Sequence, residues 1–218
     1  MLWDKNRFDI HSVSWVEQAY NEKKWAFAAD YIRLYALYNY GGIYLDSDVE
    51  VLNPFDDLLD RPYFFGQEHT PDRIEKQDSI EAATMGAEKG LPFLKKVMEF
   101  YERHDFVKDD GYMDMTTLPT ILARKLKGES LEILPMDYFS PKNTRTLELH
   151  ITENTYSIHH FNGSWHSLAQ QKHVALRTKL CKVLGEGFGD VLSSFLAVFI
   201  HVRYEGPWRT LIKILDKI

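Results

Sequence analysis

A predicted buried helix that leads directly into two aspartates constrains this chain more than any other feature. Residues 25–39 are apolar almost all round, a pattern typical of a helix that is buried on every side. Gly41-Gly42 are predicted to end this helix, because glycine accepts the left-handed backbone conformation that is common at helix C-termini. Ile43-Tyr44-Leu45 then predict a short strand, which runs into Asp46-Ser47-Asp48.

The rest of the chain alternates between helical and strand patterns. Helices are predicted over residues 12–20, 92–104 and 115–126, and strands over residues 63–66, 131–134 and within 151–161. Such alternation is typical of an α/β domain with a largely parallel or mixed sheet. The length of 218 residues suits a single domain of this class.

Composition and charge exclude several classes of protein. Hydrophobic residues make up 44% of the chain, which is enough for an ordinary globular core. Cys181 is the only cysteine, and this excludes a scaffold held by internal disulfides. The net charge of −6 argues against nucleic acid as a partner. Charged residues throughout positions 1–20 predict no secretory signal, so a cytoplasmic location is expected.

Charge is distributed unevenly along the chain. Residues 172–218 contain eight lysines and arginines against four acidic residues, a net charge of +4 that leaves −10 for residues 1–171. The longest apolar stretch, at 191–202, is too short to span a bilayer. Two interpretations of this tail stay open. It is either a helical pair that caps the core, or a basic, aromatic-rich segment in peripheral contact with the inner face of an anionic membrane.

Asp46 and Asp48 are the first candidate site residues. Two carboxylates at the carboxyl end of a strand lie where α/β folds bind ligands. Oxygen ligands favour Mg²⁺ or Mn²⁺, and substrate phosphates often complete the coordination of such ions. The alternative is an ordinary acidic turn. A calcium-binding EF-hand loop is excluded, because Val51 stands where that loop requires glycine.

Two further groups of polar residues accompany these aspartates. Asp30 and Arg33 are the only charged residues between positions 25 and 40, and at i and i+3 they share one face of the helix. They predict either an intrahelical ion pair or a polar pocket that binds a sugar or a phosphate. His159-His160 precede a turn at Gly163-Ser164-Trp165, and an imidazole there can complete the coordination of Mn²⁺.

The run from Ala29 to Glu50 contains the end of the apolar helix, the glycine pair and both aspartates. This run resembles the DXD sugar-binding region of glycosyltransferase family 32, and the resemblance continues in residues 53–55, 85–94 and 159–165 to cover about residues 1–166. That family includes bacterial capsule and lipopolysaccharide sugar transferases and relatives of yeast mannosyltransferases. Its core is similar to that of the clostridial glucosylating toxins.

The resemblance implies an α/β fold of the GT-A type, a Rossmann-type mixed sheet flanked by helices. It implies a GT-A-like glycosyltransferase domain in residues 1–168 and a helical C-terminal extension in residues 169–218. Members of the family usually have one more strand before the position that matches Leu2-Trp3-Asp4. The usual first strand, which supplies wall residues for the nucleotide base, is therefore expected to be missing.

The resemblance also implies a metal centre. Asp48 is expected to bind the divalent metal directly, and Asp46 is expected to bridge the metal and the ribose of the donor. His160 is expected to be the metal ligand from the histidine pair, in preference to His159. The implied cofactor is Mn²⁺ or Mg²⁺.

The remaining implied residues contact the nucleotide-sugar donor. Asp30 and Arg33 are expected to hold the transferred sugar, and Ser164 and Trp165 are expected to close over the diphosphate. The implied activity is metal-dependent transfer of a sugar, with retention of the anomeric configuration. The expected donor is a UDP-hexose rather than a GDP-sugar, and the expected acceptor is a polysaccharide or a lipid-linked saccharide.

Two alternatives accompany this interpretation. Without its first strand, the chain is alternatively an inactive remnant that binds sugar nucleotides. A phosphatase of the haloacid-dehalogenase type also has two aspartates after a strand, although Glu50 and the helix-Gly-Gly segment that precedes the strand weigh against it.

Overall fold

The computed structural model describes residues 6–69, 80–163 and 166–208. The chain divides into two compact units. Among the described residues, the first unit contains 6–68, 80–141 and 151–160, and the second contains 69, 142–150, 161–163 and 166–208. The expected domain boundary at residue 168 stays a prediction.

Four helices build the first unit. They are α1 (Ser14–Asn21), α2 (Trp25–Tyr40), α3 (Pro92–Arg103) and α4 (Leu118–Leu126), with short 3₁₀ turns at Ile10–Ser12 and Asp56–Leu58. All four lie where the sequence predicts helices. Helix α2 ends as expected at Gly41, whose amide donates a 2.8 Å hydrogen bond to the Leu37 carbonyl.

Five short strands form two small sheets in the same unit. They are β1 (Gly42–Leu45), β2 (Val49–Val51), β3 (Tyr63–Phe64), β4 (Thr84–Ala87) and β5 (Ser157–His159). The first sheet has the order β1-β4-β3 and the second pairs β2 with β5, and all these pairs are antiparallel. The expected α/β class is confirmed at this level, and the Rossmann-type arrangement stays a prediction. The strand expected over 131–134 contributes one parallel bridge, between Leu134 and Gly66.

An aromatic core holds the helices of this unit together. The ring of Trp15 on α1 meets Tyr101 of α3 edge-to-face at 5.2 Å and Phe106 at 5.3 Å. All three side chains are fully buried. Such edge-to-face pairs are favoured by the quadrupoles of the rings, and they explain part of the high aromatic content.

The second unit is built around two consecutive helices, α5 (Leu168–Leu184) and α6 (Glu186–Glu205). A capping box begins α5, in which Ser167 and Gln170 each bond the other's backbone. The helices lie very close at Gly189, where an added Cβ would sit 2.6 Å from the Cα of Cys181. Arg145 pairs with Asp190 of α6 at 3.2 Å, and Asn143 donates a hydrogen bond to Glu186 of the same helix. These helices lie where a helical C-terminal extension is expected.

A helix that crosses a membrane must be both long and apolar, and none of the helices in residues 6–69, 80–163 and 166–208 meets both requirements.

Candidate active site

The two aspartates lie in the tight turn that joins β1 to β2. The Val49 amide donates to the Asp46 carbonyl at 3.1 Å and closes this turn. The Asp46 amide donates to the Ala83 carbonyl at 2.8 Å, and the His160 amide donates to the Asp48 carbonyl at 3.1 Å. The backbone on either side of the turn is therefore held by a different segment of the chain.

Arg33 connects helix α2 to this turn. Its Nη2 lies 3.2 Å from Oδ1 of Asp30, and its Nη1 lies 3.2 Å from Oδ1 of Asp46. Nη1 also donates to the Ala82 carbonyl at 2.9 Å. Burial lowers the pKa of Arg33, but the negative charges of Asp30 and Asp46 raise it by more, so the pKa lies above its ordinary value and the guanidinium stays charged. The structure therefore contains the predicted ion pair and extends it to Asp46.

Tyr44 supports the same contact from β1. Its hydroxyl donates to Oδ1 of Asp46 at 2.6 Å, and its ring lies 4.6 Å from the guanidinium carbon of Arg33. Burial raises the pKa of Tyr44, Arg33 lowers it and Asp46 raises it, and the result is above the ordinary value. Tyr44 therefore remains a hydrogen-bond donor at neutral pH, and it fixes the orientation of the Asp46 carboxylate.

Asp30 is a buried acid with an unusual pKa. Its side chain is 14% exposed. Burial raises the pKa of Asp30 to about 6. The positive charge of Arg33 and a backbone hydrogen bond from Leu118 lower this pKa, but they offset only part of the effect of burial. The negative charge of Asp46 adds to the increase. At neutral pH Asp30 is mostly ionised and can accept hydrogen bonds from a bound hydroxyl group.

His159 lies beside the two aspartates. One ligand atom from each of Asp46, Asp48 and His159 lies within 4.8 Å of the other two, and His159 Nε2 is 3.6 Å from Oδ1 of Asp48. Two carboxylates and one imidazole form a donor set that suits Mn²⁺, and its oxygens also suit Mg²⁺. The residues present therefore fit the expected divalent metal.

His160, the expected metal ligand, lies beside Glu50, and its role stays a prediction. Its Nε2 lies 2.9 Å from Oε2 of Glu50, and its side chain is 38% exposed. It does not belong to the cluster of possible ligands, which contains His159. The reason is the strand period: His159 ends β5, and the side chains of successive residues point to opposite faces. The geometry thus favours His159 over His160 as the metal ligand.

Glu81 is a site residue that the sequence reasoning missed. Its side chain is fully buried, and Oε1 lies 3.3 Å from Nδ1 of His159, on the ring edge away from Asp48. Oε1 also accepts a hydrogen bond from the Ala83 amide at 2.5 Å, while Oε2 is buried and accepts none from the described residues. The available signal was a single charge in the apolar run 80–83.

The electrostatics of His159 follow from these neighbours. Burial lowers the pKa of His159, but its contact with Glu81 and the charges of Glu81 and Asp48 raise it more, so it lies above the ordinary value. Contact between a histidine and a carboxyl group on its second nitrogen is typical of metal-binding histidines, because it fixes the ring and its tautomer.

Ser164 and Trp165 lie outside the described residues. Their expected role over the diphosphate stays a prediction. Asp30, Arg33, Asp46 and Asp48, by contrast, are brought together around one turn.

Comparison with known proteins agrees with this geometry. Residues 2–65 match the family described as "Glycosyltransferase sugar-binding region containing DXD motif". Residues 2–65 are thus similar to the DXD sugar-binding region of glycosyltransferases. Asp30, Arg33, Asp46 and Asp48 of the DXD region all lie inside the matched segment, whereas Glu81 and His159 lie beyond it.

Three relatives are similar to parts of the chain. Glucan organizing enzyme 1 of Cryptococcus neoformans var. grubii is 52% identical over 87 residues, which are 38% of this chain and 24% of the relative. An uncharacterized protein of Arabidopsis thaliana is 32% identical over 126 residues, 55% of this chain and 18% of the relative. Inositol phosphoceramide mannosyltransferase 3 of Schizosaccharomyces pombe is 38% identical over 78 residues, 36% of this chain and 20% of the relative.

The chain thus spans no more than about a quarter of the length of these relatives. The expected resemblance to DXD glycosyltransferases is confirmed. The relatives come from two fungi and a plant, and the expected bacterial capsule or lipopolysaccharide type stays a prediction.

Proposed function

We propose that the chain transfers a hexose from a nucleotide-sugar donor, with a UDP-sugar as the first choice, to a saccharide acceptor in a metal-dependent reaction. One observation supports this most strongly. Asp46 belongs at once to the cluster with Asp48 and His159 and to the ion pair with Arg33. The groups suited to a metal and the groups suited to a sugar are therefore joined through a single carboxylate.

Asp46, Asp48 and His159 would hold the metal. Mn²⁺ or Mg²⁺, when bound, would stabilise the negative charge that develops on the nucleoside diphosphate as the bond to the sugar breaks. Arg33 and Tyr44 hold the Asp46 carboxylate in one orientation, and Glu81 does the same for the His159 ring. The protein therefore pays little reorganisation cost when the donor binds.

Asp30 and Arg33 are proposed to bind the transferred sugar. Asp30 accepts hydrogen bonds from sugar hydroxyls, and Arg33 keeps Asp30 in place through the 3.2 Å ion pair. Transfer to an acceptor hydroxyl requires that water be kept away from the sugar, a role proposed for Ser164 and Trp165. Retention of configuration is part of the proposal, and neither Asp30 nor another acid is assigned as a nucleophile.

The acceptor is proposed from the names of two relatives. One is named for glucan and the other for inositol phosphoceramide and mannosyl transfer. Both names point to molecules rich in hydroxyl groups, since glucan is a polysaccharide and inositol phosphoceramide is a lipid with a polyol head group. We therefore propose a polysaccharide or a glycolipid as the acceptor class.

A donor panel tests this function. UDP- and GDP-hexoses are incubated with the protein and Mn²⁺, and release of the nucleoside diphosphate is measured with and without saccharide acceptors. Asp48→Asn should reduce turnover at least about a hundredfold, because it removes a metal ligand. Asp109→Asn is the matched control, since Asp109 is an exposed aspartate in a loop of the same unit.

The outcomes distinguish an active transferase from an inactive protein that binds sugar nucleotides. Turnover that survives in the Asp109 variant and not in the Asp48 variant supports the transferase. A thermal shift with UDP and Mn²⁺ but no turnover of any donor would favour the inactive sugar-nucleotide binder. Neither a shift nor turnover would contradict both.

A further inference from the structure

Helix α6 exposes its apolar residues and buries its polar ones. Its exposed face is a row of large side chains, here called the apolar stripe: Phe188, Val191, Phe195, Val198, Phe199 and Val202. The two most central rings, Phe195 and Phe199, are 67% and 64% exposed and touch each other. The spacing of three and four residues places all six on one side of the helix.

The opposite side of α6 is small and polar. Gly189, Asp190, Ser193 and Ala197 are buried there, and Asp190 is paired with Arg145 of the same unit. In a helix that only packs on its own unit, the apolar side would be the buried one. A contiguous exposed apolar surface of this kind marks a contact with a partner or a lipid surface.

The exposed charges around α5 and α6 favour a lipid surface over a protein partner. Lys172, Lys179, Lys182 and Arg203 are exposed, whereas no acidic residue among the described positions 166–208 is. The three acids of that range are all engaged within the unit, Asp190 by Arg145, Glu205 by His201 at 2.9 Å, and Glu186 by Asn143. An apolar face accompanied only by exposed basic charge is complementary to an anionic bilayer surface.

The end of α6 adds aromatic residues suited to the same boundary. Tyr204 is exposed, and Trp208, just beyond the helix, is 78% exposed. Tyrosine and tryptophan are enriched where hydrocarbon meets lipid head groups, because their rings are apolar and their polar atoms stay hydrated. We propose that the apolar stripe of α6 rests on an anionic lipid surface, with the lysines of α5 contacting the head groups.

This inference goes beyond the proposed sugar transfer and does not depend on it. The test is co-sedimentation of the full chain with vesicles of phosphatidylcholine alone or of phosphatidylcholine with phosphatidylserine, without any sugar nucleotide. The chain should bind the anionic vesicles more tightly. Phe195→Glu combined with Phe199→Glu should weaken binding more than about tenfold, because both rings lose their apolar contact.

Two further variants complete the design. Lys179→Gln should weaken binding to anionic vesicles about fivefold without affecting neutral ones. Trp25→Glu is the matched control, since Trp25 is 64% exposed and lies at the start of α2 in the other unit. It should bind as the unchanged chain does, and circular dichroism should show that all variants keep their helices.

Three results would overturn the proposal. They are wild-type protein that stays in the supernatant with anionic vesicles, equal loss of binding in the Trp25 variant, and a dimer in solution that binds no vesicles and dissociates in the double phenylalanine variant. The last result would identify a second copy of the chain as the occupant of the stripe.

Discussion

Arg33 combines two properties that are rarely compatible in a buried residue. It is 8% exposed and charged, and its Nε is buried without a hydrogen-bond partner among the described residues. Such a group is stable only because Asp30 and Asp46 compensate its charge. The ion pair therefore belongs both to the fold and to the site, and the two interpretations of Asp30 and Arg33 left open by the sequence are not exclusive.

Asp30 provides a pH-dependent prediction at the same scale. Its pKa is about 6 in the folded chain and 3.8 ordinarily, so the folded state favours the protonated acid. Its contribution to the free energy of unfolding is largest below pH 3.8 and decreases as the pH rises to about 6. Relative to Asp30→Asn, the metal-free chain should lose up to about 3 kcal/mol across this window.

Urea unfolding at several pH values, in the presence of a chelator, measures this difference. Among the described residues, the groups that interact with Asp30 include Arg33, Tyr44, Asp46, Tyr101 and the Leu118 amide, and none of them is changed in the variant. Parallel stability profiles for the two proteins would contradict the prediction.

Glu81 provides a second prediction. Glu81→Gln keeps the size of the side chain but replaces the acceptor that faces His159 Nδ1. The affinity for Mn²⁺ should fall about tenfold or more, because the ring that presents Nε2 to the site is less firmly oriented. Titration followed by the electron paramagnetic resonance of free Mn²⁺ measures this without any donor.

Glu50→Gln is the matched control for Glu81→Gln. It removes the carboxylate that faces His160 rather than His159, and metal affinity should not change. A larger loss in the Glu50 variant than in the Glu81 variant would restore His160 as the ligand.

The sequence identified Asp30, Arg33, Asp46 and Asp48 because all four belong to one local pattern, a helix, a glycine turn and a strand. It could not choose between His159 and His160 in the way that the geometry does, and there is a physical reason. Which of two adjacent strand residues faces the site depends on the register of β5 with β2, a long-range property. Glu81 was missed for the same reason, because its partner lies in a distant segment.

At the scale of elements, the junction between α2 and β1 determines the site. Arg33 lies in the helix and Asp46 follows the strand, and only Gly41 separates the two elements. Gly41 has φ 69° and ψ −175°, a conformation essentially restricted to glycine. An added Cβ would also lie 2.9 Å from the Lys89 amide nitrogen.

Gly41→Ala should therefore destabilise the chain by more than about 2 kcal/mol, through backbone strain and overpacking together. Gly90→Ala separates the two effects. Gly90 also has a positive φ, of 83°, but an added Cβ would meet nothing within 4 Å, so only strain remains. Thermal unfolding should rank the Gly41 variant below the Gly90 variant, and the reverse order would contradict the role of the contact.

The sequence predicts where several strands lie but not how they pair in the sheets. The positions of β1 and β3 follow from short apolar runs, but a run of two to four residues does not indicate the direction of its partner. The sequence predicts a largely parallel or mixed sheet, whereas the named strands pair antiparallel and the parallel contact in the described part of the chain is the single bridge between Gly66 and Leu134. Parallel sheets are buried on both faces, whereas β1 and β2 contain exposed residues and only β4 is buried throughout.

At the scale of the whole molecule, the net charge is the sum of an acidic segment and a basic one. The overall −6 combines −10 in residues 1–171 with +4 in residues 172–218. The sequence alone predicts this separation of charge, because counting the charged residues in each segment is enough to find it. What composition did not show is that the apolar residues of α6 face outward, since the sequence pattern is equally apolar whichever side is buried.

The β2–β5 pairing has a consequence for folding kinetics. It joins distant parts of the chain, since Glu50 and His160 are 110 positions apart. The same pairing places His159 beside Asp48. Contacts this distant form late, because the entropy of closing a long loop must be lost first. Bound Mn²⁺ should therefore slow unfolding and leave the refolding rate almost unchanged, which stopped-flow mixing with metal or chelator can measure. A faster refolding rate instead would show that these strands meet before the transition state.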